Sequence, residues 1–419
     1  MIRAGLTIAI LLAASLSVAF AAENWPQFRG PSGDGHSDAT GLPITWSETE
    51  NVVWKTPIHG RGHASPVVWD RQIWLTTATR DGLEMSALCI DRETGRIVHD
   101  LRVFENAEED IQIMNPLNSF ASPTPVIEAG RVYVHFGTYG TACLDTATGR
   151  TIWQRCDLNC DHFRGPGSSP FIYNELLILH YDGFDVQFVV ALNKATGETV
   201  WKTDRSTDFA GCNGDFRKAF CTPIVIDVDG RPQLISPGSK AAMAYDPDSG
   251  EELWKVRWDG FSSASRPLFG HGLLLLNTGF SKAQLWAVRP DGRGDVTDTH
   301  VVWRLTKGVP SKPSVLLIGE LLYMADDGGV ASCVEAATGE VVWQERLGGD
   351  YSASPLYADG RIYFFSHQPT TTVIAPGRQF QSLAVNHLDA GFMASPAVSG
   401  KALFLRTETH LYRIEKEKD

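Results

Sequence analysis

Residues 143–153 read CLDTATGRTIW, and this stretch decides the fold because the chain repeats it. A small residue, one spacer and an acidic or amide residue are followed by Thr-Gly or Ser-Gly, with a tryptophan four residues after the glycine. Full copies occupy residues 191–201, 244–254 and 333–343, and a degenerate copy at 89–99 has His99 in the tryptophan position. Self-similarity of this kind indicates one supersecondary unit copied many times.

A second phrase gives the number of copies. A proline, usually after serine or threonine, opens a β-rich run eight times, at Pro66, Pro125, Pro170, Pro223, Pro267, Pro313, Pro355 and Pro396. Each unit reads as four short strands in roughly 40–45 residues, which is typical of a β-propeller blade. We expect an all-β protein in which residues 23–419 form one eight-bladed propeller of four-stranded antiparallel blades.

Each residue type of the repeat has a physical reason. An aspartate or asparagine before Thr-Gly can bond its own backbone, and glycine supplies the positive φ that the turn requires. The small residue suits an inner strand, and the tryptophan is large enough to bury its ring against the next blade. Proline is tolerated on the innermost strand because that edge lacks a ladder partner.

The last unit lacks its tryptophan strand at the C-terminus, and a matching strand occurs near the N-terminus. Residues 52–55, VVWK, match residues 199–202, TVWK, and residues 301–304, VVWR. We therefore expect residues 52–58 to supply the outer strand of blade eight, so that both ends of the chain share one sheet. Such a closure removes the sheet edge that an open ring would expose.

The N-terminus has the features of an export signal. Arg3 precedes an almost wholly apolar stretch, residues 6–20, which ends in small residues before Glu23. This order is typical of a cleaved signal peptide, so we expect residues 1–22 to be removed; the alternative is a membrane anchor, for which the stretch is short. No cysteine follows it to carry a lipid anchor, and the sequence predicts a periplasmic or secreted protein without a membrane span.

Charge and cysteine positions restrict the partners and the redox chemistry. A net charge of −12 argues against a nucleic-acid partner, because such proteins present a basic face. Four cysteines occupy small-residue positions and are expected to be buried packing residues: Cys89, Cys143, Cys221 and Cys333. Cys156, Cys160 and Cys212 fall in connections, where we expect one disulfide whose partners the sequence does not identify.

The repeated phrase resembles the tryptophan-docking motif of propellers related to pyrroloquinoline quinone (PQQ) dehydrogenases. The resemblance covers almost the whole chain after the signal peptide. Residues 24–35, NWPQFRGPSGDG, also resemble the mature start of secreted bacterial PQQ-repeat proteins. That wider group includes the non-catalytic propeller of the bacterial outer-membrane assembly machinery. Fold and function must be argued separately, because one fold hosts many functions.

In the dehydrogenases that this sequence resembles, PQQ stacks on a tryptophan over the propeller axis, and acidic and amide side chains hold calcium or a lanthanide. An adjacent pair of cysteines often covers the other face of the quinone. This sequence has no adjacent cysteine pair and no C-x-x-C-H haem motif, since Cys156 and Cys160 are followed by Asp161. We expect no cofactor; PQQ with Ca²⁺ belongs to the catalytic alternative.

Two metal sites are weaker alternatives. Asp291, Asp295 and Asp298, in the long hairpin of blade five, have the composition of a calcium loop, but their spacing matches no defined loop and a solvated turn is the simpler interpretation. His59 and His63, with His162 nearby in the ring, could bind a transition metal, but a plain polar loop is the better interpretation. We expect no metal.

Basic residues concentrate in the connections that enter the innermost strands, which share one face and converge on the axis. We expect them to form a cationic funnel that binds an anionic small molecule or an acidic peptide segment. The candidates are Arg61, His63, His162, Arg164, Arg217, Lys218, Arg266 and Lys312. Aromatic residues of the same connections are Phe163, Phe216, Tyr351 and Phe392, and residues 105–114 add an acidic connection.

These features favour a non-catalytic, extracytoplasmic propeller, expected to be monomeric, that binds a partner protein or an anionic ligand on its axial loop face. The alternative from another class is a PQQ-dependent oxidoreductase. A third hypothesis is a lyase or hydrolase that uses a histidine and an acid in the funnel, with His63 and His162 as the first candidates. The sequence contains no Gly-x-Ser-x-Gly elbow that would indicate an α/β-hydrolase nucleophile.

Overall fold

The computed structural model describes residues 24–280 and 282–417 and consists of eight antiparallel sheets. In seven sheets the four main strands follow one another along the chain, and in the eighth an N-terminal strand closes the ring. The first strand of blade one contacts the first strands of blades two and eight, and the first strands of blades five and six also touch. The first strands therefore surround a common axis, and the eight-bladed propeller is confirmed. The predicted signal peptide, residues 1–22, lies outside the described residues.

The blades follow one another along the chain, each running from the axis outwards. Blades one to four comprise Val67–Trp69, Gln72–Ala78, Glu84–Asp91 and Ile97–Glu105; Val126–Glu128, Arg131–His135, Thr141–Asp145 and Thr151–Arg155; Phe171–Tyr173, Leu176–Asp182, Gln187–Asn193 and Thr199–Asp204; and Ile224–Val228, Arg231–Pro237, Ala241–Tyr245 and Glu252–Arg257. Blades five to eight comprise Leu268–Gly270, Leu273–Asn277, Leu285–Val288 and Val301–Leu305; Leu316–Ile318, Leu321–Ala325, Val330–Glu335 and Val341–Arg346; Leu356–Ala358, Arg361–Phe365, Thr370–Ile374 and Ser382–His387; and Ala397–Ser399, Ala402–Arg406, His410–Ile414 and Val52–Pro57.

Two short strands extend this plan. His36–Ser37 pairs in parallel with the innermost strand of blade seven, and Gly294–Asp295, from the long hairpin of blade five, pairs in parallel with the outer strand of blade four. Helix is confined to the 3-10 turns Glu108–Asp110, Gly137–Tyr139 and Gly214–Arg217 in the described part of the chain. No helix among the described residues has the length and apolarity needed to cross a membrane.

The repeat motif forms the turn that its residues predict. The Oδ1 atom of Asp145 accepts hydrogen bonds from the Thr148 N–H (2.8 Å) and hydroxyl (2.7 Å), and Gly149 adopts a φ of 72°. The same arrangement recurs around Asp91 and Asp246. The backbone of these turns faces the preceding blade and packs against the aromatic residue of that blade's outer strand.

Closure of the ring by the N-terminal strand is also confirmed. Val52–Pro57 pairs antiparallel with His410–Ile414, so that Trp54 lies opposite Arg413. Before this strand the chain passes blade seven, where Trp46 is buried and its backbone N–H donates to the side-chain oxygen of Asn386 (2.9 Å). The two ends of the propeller are therefore held in one sheet and share a hydrophobic core.

The cysteine predictions are half right. Cys89, Cys143, Cys221 and Cys333 are fully buried, as the repeat predicts. The expected disulfide is wrong, because all seven cysteines are free. Cys156 is exposed, whereas Cys160 is buried with its sulfur 3.6 Å from each ring nitrogen of His162. Packing against an imidazole thus takes the place of a covalent partner.

Candidate functional site

A cavity of about 410 Å³ lies on the axis, at the face where the connections enter the innermost strands. Blades contribute to its wall mainly through the residues just before these strands. Leu117 and Phe280 line it and are more than half exposed, so they mark its mouth. The convergence of these connections on the axis, expected from the repeat, is confirmed by this lining.

A ring of hydroxyl groups forms much of the wall, one from each of six blades: Ser65, Thr124, Ser169, Thr222, Ser354 and Ser395. Their positions follow from hydrogen bonds between neighbouring blades. The Ser65 N–H donates to Thr124 Oγ1 and the Thr124 N–H to Ser169 Oγ, each at 3.0 Å. Because these backbone N–H groups find their acceptors in the next blade, the Ser/Thr-Pro phrase links neighbouring innermost strands by hydrogen bonds.

Blade five interrupts the ring, because Arg266 stands where those six blades have serine or threonine. Its guanidinium turns along the axis and donates to the Phe28 carbonyl (2.5 Å) and to Gln27 Oε1 (3.0 Å). Burial lowers the pKa of Arg266 to about 9, with a further contribution from the nearby Arg29. Arg266 therefore anchors the N-terminal segment rather than facing the cavity.

The N-terminal segment, residues 24–37, forms the floor of the cavity. It bonds to the innermost strands of three blades: Trp25 pairs with Val68, the Pro26 carbonyl accepts from Ile127 N–H (2.9 Å), and the Gly35 carbonyl accepts from Tyr357 N–H (2.9 Å). Phe28 projects from this segment into the lining. Nothing in the repeat predicts this floor, because the segment lacks the motif and is held largely by backbone groups.

Three of the eight predicted funnel residues line the cavity: His63, Arg164 and Lys312. The two long basic side chains among them, Arg164 and Lys312, are each paired with a carboxylate. Arg164 contacts Asp215 through two hydrogen bonds, Nε–Oδ1 (3.1 Å) and Nη2–Oδ2 (2.9 Å). Lys312 Nζ lies 3.9 Å from Asp327 Oδ2. Both carboxylates also line the cavity, so they neutralise the cations that were expected to attract an anion.

The third lining residue, His63, is uncharged at neutral pH. Burial, together with the positive charges of Arg61 and Arg406, lowers the pKa of His63 to about 3. Its ring makes no hydrogen bond to a carboxylate in the described part of the chain. The lining thus carries two positive and two negative side chains and has no net charge.

The other five predicted residues lie outside the lining, which corrects the expected cationic funnel. Lys218 is fully buried, its ammonium donates to the His162 carbonyl, and burial lowers its pKa to about 8. His162 is itself buried and accepts from the Thr138 N–H (3.0 Å), and burial followed by the charge of Lys218 lowers its pKa well below the usual value.

The remaining two donate to backbone carbonyls of the connections: Arg61 to that of Pro116 in the next connection (2.5 Å), and Arg217 to that of Cys212 in its own loop (3.3 Å). Loop carbonyls without a strand partner need donors, and long basic side chains satisfy them. The basic residues of these connections therefore hold the loops in place. In the described part of the chain neither His63 nor His162 is hydrogen-bonded to a carboxylate, so the histidine and acid of the third hypothesis are not in contact.

The aromatic residues of the cavity differ from those predicted. Tyr351 and Phe392 are buried in the blade cores, and Phe163 packs on Phe184 with ring centroids 5.0 Å apart. Phe216 packs edge-on against Phe261, a lining residue, at 4.6 Å. The aromatic lining consists of Phe28, Phe220, Phe261 and Phe280. Phe220 and Phe261 precede Ser/Thr-rich strand openings, a signal that could have identified them.

Neither proposed metal site assembles. Asp295 accepts from the Thr297 hydroxyl (2.6 Å) and pairs with Arg257 (2.6 Å), as a turn residue does. His59 contacts Asp100 at 3.1 Å, away from the buried His162. Within residues 24–280 and 282–417, no three His, Cys, Asp or Glu side chains are grouped so that they could hold a metal ion.

The cavity residues do not fit the quinone arrangement that the resemblance implies. No tryptophan is part of the lining, so no indole is available for stacking. The two lining carboxylates, Asp215 and Asp327, are engaged by separate cations, and Asp327 also accepts the N–H groups of Ser311 and Lys312. The chemistry of these donors is that of loop anchoring.

Comparison by sequence relates the chain to one family. The family model described as outer membrane protein assembly factor BamB matches residues 47–224 and 185–419. Outer membrane protein assembly factor BamB of Yersinia pestis is 24% identical over 301 residues, which is 64% of this chain and 63% of that protein. The chain therefore spans slightly less than two thirds of the curated relative that it matches.

Solved structures share the fold at lower identity. BamB from Moraxella catarrhalis superimposes with a TM-score of 0.60 and 14% identity, covering 88% of this chain and 98% of the other. A europium-containing methanol dehydrogenase reaches a TM-score of 0.67 at 11% identity, covering 91% and 89%. Proteins of this propeller fold thus include both an assembly factor and an enzyme, so the function of this chain must be argued from the residues of its site.

Proposed function

The chain belongs to the family of outer membrane protein assembly factor BamB, and on that premise we propose that it is a periplasmic or secreted, non-catalytic propeller that docks a partner protein on its axial loop face. The partner is a polypeptide that presents apolar side chains to the cavity mouth. By analogy with the name of these relatives, the partner takes part in outer membrane protein assembly.

The observation that carries this proposal is an apolar rim around the mouth. Its members are Ile113, Leu117, Phe216 and Phe280, which are 71%, 59%, 42% and 57% exposed. The other large apolar side chains that are similarly exposed lie mostly on outer strands, with one or two in each blade except blade four. Exposed apolar residues that cluster on one face mark a protein interaction site.

Charge beside the rim indicates the chemistry of the partner. The connection that carries Ile113 and Leu117 also carries the exposed Glu105, Glu108, Glu109 and Asp110, a run without intervening basic residues. A partner segment with basic residues next to its apolar anchors would therefore be steered to this side of the mouth. The anionic-ligand half of the expectation is less well supported, because the lining cations are already paired.

Site-specific photo-cross-linking in cells tests the proposal. A photoreactive residue replaces Leu117 or Phe280 at the rim, and Val200 or Val302 on outer strands serves as the control, since these valines are 52% and 49% exposed. We expect one defined adduct from the rim positions, identified by mass spectrometry as an outer membrane assembly component. The adduct should weaken when the photoreactive residue at Leu117 is combined with Phe280→Ser, or the one at Phe280 with Leu117→Ser. Equal adducts from the control positions would contradict docking at the mouth.

A further inference from the structure

The cavity suits a neutral ligand because its charges cancel internally. Arg164 is held by Asp215 in a two-point contact, and Lys312 faces Asp327. His63 carries no charge to add to either pair. A charged guest would have to compete with one of these partly exposed pairs for its counter-charge, and the wall has no net charge to attract it. The electrostatics of the lining therefore favour neither small anions nor small cations.

The hydroxyl ring offers hydrogen-bonding capacity that the protein itself does not use. Thr124, Ser169, Thr222, Ser354 and Ser395 each accept a backbone N–H from a neighbouring blade. Across residues 24–280 and 282–417, neither these five nor Ser65 donates its hydroxyl proton to an acceptor. A hydroxyl has one donor and two acceptor sites, so the ring presents six unused protons and further lone pairs to a guest.

Apolar and aromatic side chains supply the rest of the wall. Phe28 lies at the floor, Phe220 on the side, and Leu117 and Phe280 at the mouth. The volume of about 410 Å³ falls within the roughly 300–1,000 Å³ typical of small-molecule sites. The guest must therefore combine many oxygens with an apolar face, while remaining uncharged.

We propose that the axial cavity binds a neutral saccharide of one or two pyranose units. The sugar hydroxyls exchange hydrogen bonds with the Ser/Thr ring, and the C–H face of a pyranose packs on Phe28 or Phe220. The Arg164–Asp215 pair, whose contact is already neutral, offers one more donor and acceptor edge. This saccharide site lies inside the cavity and is distinct from the rim, which the protein partner contacts.

Isothermal titration calorimetry with the full mature chain tests this proposal. The probes are maltose, cellobiose and N,N′-diacetylchitobiose, with citrate as an oxygen-rich anionic probe. We expect at least one disaccharide to bind saturably and citrate not to bind. Among the described residues, Ser65 is the ring member whose hydroxyl accepts no backbone N–H, so Ser65→Ala leaves the hydrogen bonds between blades intact and should weaken binding by about three- to tenfold.

Two further variants fix the location of the sugar. Phe28→Leu keeps an apolar floor but removes the aromatic ring, and it should weaken binding by a similar factor. Ser382→Ala, on the outer strand of blade seven, is the matched control and should bind as the wild type does. Melting temperature and the rim cross-link are measured for each variant, so that misfolding and loss of the partner site are separated from loss of sugar.

Several outcomes would overturn the saccharide site. These are the absence of saturable binding by all three disaccharides, binding of citrate instead of sugar, and sugar affinity unchanged in both Ser65→Ala and Phe28→Leu. Retention of the rim cross-link in those cases would leave the proposed docking function standing, whereas loss of the cross-link with intact sugar binding would contradict docking alone.

Discussion

The indole N–H of Trp153 donates to the carbonyl oxygen of Lys194 at 2.9 Å, which ties the outer strand of blade two to the Thr-Gly turn of blade three. Trp201 and Trp303 make the same bond to Pro247 and Ala336 of the blades that follow them. One indole thus satisfies a turn carbonyl and covers the adjacent glycine, so the motif of one blade is completed by the next.

Truncating this contact should destabilise the whole ring. Trp153→Ala is expected to lower the free energy of unfolding by about 3–5 kcal/mol, as loss of a buried aromatic side chain does. Gly197→Ala should also destabilise, because the new Cβ would lie 2.7 Å from the Trp153 ring and φ is +77°. Denaturant unfolding measures both effects, with the exposed neighbour change Ile152→Ala as control. Equal stability of Trp153→Ala and Ile152→Ala would contradict the docking role.

Removing the closing strand should open the ring. Deletion of residues 46–58 takes away Val52–Pro57 and the buried Trp46, which leaves the strand His410–Ile414 without its outer partner. An exposed strand edge promotes association between chains, so we expect loss of solubility and a lower melting temperature. Size-exclusion chromatography with light scattering detects the aggregates. Deletion of residues 416–419, after the last strand, is the control and should leave the protein soluble.

Much of the fold could be predicted from the sequence because each blade repeats the same local chemistry. The Asp145 turn, the docking of Trp153 and the closing strand around Trp54 all depend on residue types at fixed spacing. The floor built by residues 24–37 could not be predicted, since it is held by carbonyls such as those of Pro26 and Gly35, which every residue possesses.

The candidate site was predicted in position but not in character. The connections do converge on the axis, yet the direction of a long basic side chain depends on which carbonyls need a donor. Lys218 and Arg266 turned to backbone oxygens that only the folded chain brings near them. The Ser/Thr-Pro phrase already contained the hydroxyl ring, and its exceptions were visible as Arg266 and Lys312, the two long side chains that precede a proline of the phrase.

The thiols should react according to their burial. With all seven cysteines free, non-reducing and reducing gels should show the same mobility, and mass spectrometry of the native protein should find rapid alkylation of the exposed Cys156. Cys212 is half-buried and should react more slowly, and the five buried thiols should react only after unfolding. A mass lower by the two hydrogens of a disulfide would show that the sequence-based expectation was correct.

Addition of PQQ and Ca²⁺ should not produce an oxidoreductase. The lining has no tryptophan, and Asp215 is held by Arg164, so the quinone and its metal lack the stacking and acidic partners that the resemblance implies. The purified protein, incubated with PQQ and Ca²⁺, should show no saturable dye reduction with alcohols or sugars above that of PQQ alone. Clear turnover would establish the catalytic alternative, and its loss in Asp215→Asn would locate it in the cavity.

Acid should destabilise the protein through its buried histidines. His135, His162 and His180 are buried, and burial is the main cause that lowers the pKa of each, to about 3 for His135. Below about pH 6.5 the unfolded chain binds these protons and the folded chain does not, so stability is present above that pH and is lost as the pH falls. Each histidine contributes about 1.4 kcal/mol per pH unit in this window.

The free energy of unfolding in urea, measured from pH 7.5 down to pH 4.5, should therefore fall steeply below pH 6.5. His135→Gln removes one such proton site and keeps a polar partner for the Thr141 hydroxyl, which lies 2.8 Å from the imidazole. We expect its slope below pH 6.5 to be shallower than that of the wild type by about 1.4 kcal/mol per pH unit. His59→Asn, at the exposed contact with Asp100, is the control. A His135→Gln slope equal to the wild-type slope would mean that His135 takes up its proton in the folded state.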